Sequence, residues 1–153
     1  MKLTEIQELV AAELNADPWL VEHHVTALAE NKADIENEIL RAIAAVGISA
    51  LVVTPEFTAT QQDGGTLAGT AAVRIALYEV PATNRTRAGY CTALEAAEHI
   101  ARLALGWGST TVESLRQAPV DDEEGGITAE LALSMHIIHT REGEETNTEE
   151  SEA

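Results

Sequence analysis

The chain has 153 residues, a length that suits one domain able to bury roughly two thirds of its unfolded surface without staples. Its formal net charge of −17 opposes phosphate backbones and anionic membrane surfaces, so neither nucleic acid nor lipid is an expected partner. A single cysteine, Cys91, leaves no intrachain disulfide, and an aromatic content of 3% implies a core of Leu, Ile, Val and Ala that favours close packing over a deep pocket.

The N-terminus carries Glu5, Glu8 and Glu13 and lacks a basic region followed by an apolar run, so no signal peptide is expected. No apolar run approaches the roughly 20 residues that cross a bilayer, and a soluble, intracellular protein is expected.

Leu3 to Leu14 reads as an amphipathic helix, with Thr4 and Gln7 at capping-box spacing and Leu3, Ile6, Leu9, Val10 and Leu14 on one side. Asp17 caps a second helix with Pro18 at its first position, and Trp19, Val21, Val25, Leu28 and Ala29 are its candidates for packing. Asp34 opens a third, in which Ile35, Ile39, Ala42, Ile43 and Val46 form a core stripe that Gly47 ends. Residues 1–30 are expected as a helical segment or arm, and 31–140 as an α+β domain.

Ser49 to Thr58 is β-branched and apolar, and with the strand after Gly65 it brackets a hairpin loop at Gln61-Gln62-Asp63-Gly64-Gly65. From Thr66 onward, Leu67, Ala71, Val73, Ile75 and Leu77 fall on one face while Thr70, Arg74 and Tyr78 fall on the other, as in a half-buried strand. The polar loop Pro81 to Arg87 leads into a helix in which Tyr90, Leu94, Ala97, Ala101 and Leu105 form one stripe, widened by Ala93, Ala96, Ile100 and Leu103. Thr92, Glu95, His99 and Arg102 are expected outward. That helix opens at Thr92 or a turn or two earlier, at Thr86 or Gly89, and ends at Gly106 and Gly108.

Thr110 to Pro119 is a weaker strand candidate. After the acidic turn Asp121 to Gly126, the alternation of Ile127, Ala129, Leu131, Leu133, Met135 and Ile137 with Thr128, Glu130, Ser134 and His136 closes a second hairpin. The order α-α-α-β-β-α-β-β predicts an α+β fold: a four-stranded, mainly antiparallel sheet with helices on one face. Residues 141–153 have the composition of a disordered acidic tail.

No catalytic or metal-binding residue is singled out. His136 and His139 point to opposite faces of a strand, His23 and His24 diverge on a helix, and Cys91 lies too far from His99 along a helix to share a proton with it. Gly106 to Thr111 lacks the Gly-Lys-Ser/Thr ending of a phosphate loop, and Asp121 to Glu124 lacks the spaced ligands of a calcium loop. No cofactor is implied. Asn84, Arg85 and Arg87 concentrate basic and amide donors in an acidic molecule, which makes them the candidates for a subunit interface.

The order of elements over Ile48 to Thr140, with the strand, the Val80-Pro81-x-x-Asn84-Arg85 loop and the Ala-rich helix, resembles the tail terminator and tail completion proteins of long-tailed bacteriophages and prophages. The resemblance implies no catalysis. It implies a homo-oligomeric ring, commonly of six, that caps the tail tube and joins it to the head-proximal connector, first in the host cytoplasm and then in the virion tail. The competing classes are a small metal- or ligand-binding enzyme domain and a bacterial adaptor whose acidic tail is its binding segment.

Overall fold

The computed structural model describes residues 2–120 and 125–140. The expected charged hairpin tip at 121–124 and the expected acidic tail at 141–153 lie outside them.

Two long antiparallel strands form the axis of the molecule. Thr66–Glu79 (β4) and Ile127–Thr140 (β6), each of 14 residues, pair along their whole length from Thr66↔Thr140 to Glu79↔Ile127. Ala71, Val73, Ile75 and Leu77 of β4 and Ala129, Leu131 and Leu133 of β6 are buried on one face, as the alternation predicts. On the other face Arg74 and His136 are exposed.

The sheet is wider than four strands. It has six, and it is mixed. The apolar run expected as one strand from Ser49 is two, Ile48–Val52 (β2) and Glu56–Asp63 (β3), interrupted before Glu56 by Pro55, which cannot donate to a ladder. Both pair antiparallel with the same side of β4, β2 with its C-terminal half and β3 with its N-terminal half. The β3–β4 hairpin turns on Gly64 (φ 53°) and Gly65 (φ 94°), the left-handed pair that a two-residue turn requires, so Gln61, Gln62 and Asp63 belong to the strand and not to the loop. Thr110–Pro119 (β5) pairs with β6 as expected, with a bulge at Glu113.

The N-terminal third departs most from expectation. Leu3–Ala16 (α1) forms, but its first turn is closed by the Glu5 carboxylate, which accepts from the Lys2 backbone N–H at 2.9 Å. Gln7, expected in the cap, is wholly buried and donates Nε2 to the Val52 carbonyl at 2.8 Å. Pro18–Glu22 (α2) starts where Asp17 and Pro18 place it, yet lasts one turn, since His24 takes φ 64°. Leu28 and Ala29, expected on that helix, lie in a short strand, Ala27–Ala29 (β1), parallel to β2. Ile6, Val10, Ala11 and Leu14 join the central core, and β1 joins the sheet. The segment expected as an arm is thus packed into the body.

Helices cover both faces, not one. Ala93–Ala104 (α5) lies over β4, β5 and β6, and α1 over β1 and β2, on the face that carries the core. Ile35–Val46 (α3) joins parallel neighbours that run opposite to β4, so a right-handed crossover puts it on the other face. Leu28, which alternation turns away from Ala27 and Ala29, is buried there. Being laid over two short strands at the sheet's margin, α3 has no buried residue, and its predicted core stripe is only half covered.

Candidate functional site

At the end of β4 the inward alternation continues one step beyond Leu77 and buries a charge. Glu79 is 0% exposed. Val80 then donates its N–H to the Gly47 carbonyl at 2.8 Å, and Pro81 starts a one-turn helix, Pro81–Asn84 (α4), that swings the polar loop back over the carboxylate.

The loop residues converge on Glu79. Asn84 Nδ2 donates to Glu79 Oε2 and to the Cys91 carbonyl, each at 2.8 Å. Arg85 Nε donates to Oε2 at 2.8 Å and Nη2 to Oε1 at 3.4 Å. The Ala93 N–H, at the start of α5, donates to Oε1 at 3.0 Å. Burial pushes this carboxyl's pKa up, but the bonds from Arg85, Ala93 and Asn84 and the Arg85 charge outweigh it, so Glu79 titrates below the ordinary carboxylate range. A negative charge beside the first turn of a helix also meets the positive end of its dipole.

Arg87 completes the knot. Its Nη2 donates to Asn84 Oδ1 at 2.6 Å, which fixes the amide, and its Nε donates to the Val46 carbonyl at 3.0 Å in the last turn of α3. The three residues expected at a subunit interface therefore spend their hydrogen bonds within the chain. Asn84 is fully buried, while the Arg85 side chain is 41% exposed.

A second cluster lies between α2 and α5. Asp17 Oδ2 accepts from the Leu20 N–H at 3.0 Å and lies 2.7 Å from His99 Nε2. The Trp19 ring is held between His99, 4.4 Å away and nearly parallel, and His23, 4.1 Å away. His99, expected outward, instead ties α5 to the cap of α2. His136 is exposed on one face of β6, and His139 packs edge-on against Phe57 on the other, so they stand apart as expected.

Cys91 is buried, and burial, with the charges of Glu95 and Glu79, pushes its thiol up to about 11. At neutral pH it is a thiol packed in the core, not a nucleophile. Among the described residues no group of three or more His, Cys, Asp or Glu is placed to hold a metal ion. Gly106 to Ser109 is a helix-ending turn, with Gly106 N–H on the Leu103 carbonyl and Trp107 N–H on that of Ala104, and Thr110 and Thr111 already belong to β5. Beside it a mainly apolar groove of about 540 Å³ is lined by Ile6, Leu9, Val10, Trp107, Met135 and Ile137.

Both clusters hold elements together. Sequence reasoning found the basic loop but missed its acceptor. The available signal was that Glu79 has the parity of Leu77 and Ile75, on the dry face of the strand. The chain matches no protein-family model and no curated protein.

Proposed function

We propose that this protein is a non-enzymatic structural subunit of a phage or prophage tail, which closes into a ring that terminates or completes the tail tube and meets the head-proximal connector. The observation that supports this most is that, among the described residues, the sheet ends on opposite sides in unlike unpaired edges, β3 beyond β4 and β5 beyond β6. Unlike edges suit heterologous contact, in which each copy offers one surface and receives another, and such contacts generate rings. Exposed Leu9, Leu40 and Leu105 add apolar area for association with copies or with tube and connector proteins. In this reading the outward part of Arg85 lies at a contact, and Asn84 and Arg87 hold it in place from within.

Negative-stain imaging of the concentrated protein tests the reading. Annular particles are expected, and separate single subunits at every concentration would oppose it.

The enzyme reading has one observation of its own, the 2.7 Å approach of Asp17 to His99. It requires turnover of some substrate that His99→Ala abolishes while the fold is retained.

A further inference from the structure

Among the described residues three sheet edges end without a further strand, and they differ in how they are closed. At β1 the Asn15 side chain acts as a strand substitute: its Oδ1 accepts from the Ala27 N–H at 2.8 Å and its Nδ2 donates to the Ala27 carbonyl at 2.9 Å. The Lys32 N–H takes the Ala29 carbonyl. That edge is shut. At β3, among the described residues, backbone bonds run to β4 alone, and Thr58 to Gln62 are exposed and uncharged. At β5, beyond the bulge, Ser114, Arg116, Gln117 and Ala118 are exposed and Leu115 is half-buried. A long unpaired edge is a template for another strand.

The charges on these two edges are complementary. Arg116 of β5 is 79% exposed and lies 3.2 Å from Glu130, whose other oxygen already meets Arg74 at 3.5 Å. From Ser114 to Ala118 the one charged residue is Arg116, while Glu113 at the bulge accepts from Ser134 Oγ at 2.8 Å. Glu56 of β3, in register with Ala72, lies on the same face of the sheet as Arg74 and is exposed.

We infer that the seam between copies is β3 of one subunit paired antiparallel with β5 of the next, with Glu56 opposite Arg116 and Thr58 opposite Ser114, so that the sheets continue from copy to copy. This rests on the ring reading and gives it a geometry. Within one chain β3 and β5 already run antiparallel, so aligned neighbours meet in the right sense.

Their heights differ. β3 spans the level of Thr66 to Ala72 of β4, while β5, through β6, spans that of Ala71 to Glu79. In this register, Glu56 stands at the level of Ala72 and Arg116 at that of Ala76, so the offset is four residues, or ~13 Å, against a lateral step of about four strand spacings, ~19 Å. A ring without axial rise then needs strands inclined by about 35° to its axis, as in closed barrels, and six copies close at a diameter of about 45 Å.

Thr58→Cys/Ser114→Cys, oxidised at high concentration, tests the seam, because the native Cys91 is buried and does not compete. A ladder of covalent oligomers on a denaturing gel is expected, with little from either single variant. As a second arm, Glu56→Arg and Arg116→Glu should each weaken association about tenfold, and combining them should restore it. Oligomers in solution without the ladder or the charge rescue overturn the seam and leave the ring reading standing. A monomer at every concentration, with wild-type sequence, overturns both.

Discussion

Ala93 donates its backbone N–H to the Glu79 carboxylate at 3.0 Å, so the end of β4 seals the start of α5 across fourteen positions of sequence. One buried charge thereby fixes the strand, the polar loop and the main core helix relative to one another. Glu79→Gln keeps the shape and removes the charge, leaving donors from Arg85, Asn84 and Ala93 directed at a neutral amide that can accept at one end only. The expected loss is about 2–3 kcal/mol of stability, measured by urea unfolding.

The same carboxylate sets a pH dependence. Its folded pKa lies below the ordinary value of 4.5, so in the window between the two the unfolded chain binds more protons than the folded one. Its contribution is fully present above the unfolded value and is lost as pH falls through the folded one. The stability gap between wild type and Glu79→Gln should be constant near neutrality and shrink as pH falls below 4.5. A gap that grows on acidification would contradict the assignment.

Cys91 should be nearly inert. With its thiol at about 11, roughly one molecule in a thousand carries thiolate at pH 8, and burial blocks access as well. Reaction with a thiol reagent at pH 8 should be at least about a hundredfold slower in the native protein than in urea.

Gln7 offers a substitution expected to cost little despite full burial. Its Oε1 has no hydrogen-bond partner among the described residues, and the Val52 carbonyl that its Nε2 reaches also accepts the Glu30 N–H at 3.0 Å. Gln7→Met fills the same volume and removes an unmatched acceptor, so stability should change by less than about 1 kcal/mol or rise. Gln7→Ala, which leaves a cavity, should be clearly worse in the same thermal unfolding assay.

The long strands were legible because each has one dry and one wet face over many residues, and alternation over Thr66 to Tyr78 has no helical counterpart. β1 was not, since Ala27, Leu28 and Ala29 are buried on both faces and too few to show a period. In α5 the capping box at Thr92 and Glu95 decides the start, with Glu95 N–H on Thr92 Oγ1 at 3.1 Å and Thr92 N–H on Glu95 at 2.9 Å. The buried stripe is accordingly Ala93, Ala96, Ala97, Ile100 and Ala104, while Tyr90 lies outside the helix and Leu105 is 71% exposed. Alanines and leucines on neighbouring stripes look alike in sequence, and only the sheet beneath chooses between them. The basic loop was visible by composition, but its partners include the carbonyls of Val46 and His23, which no local pattern joins to Arg87.

Sedimentation velocity of the purified protein over a wide concentration range addresses most directly whether this chain acts by assembling. A discrete species at a fixed multiple of 16.3 kDa, growing in population with concentration, is the predicted result. A sharp boundary at 16.3 kDa throughout would contradict it.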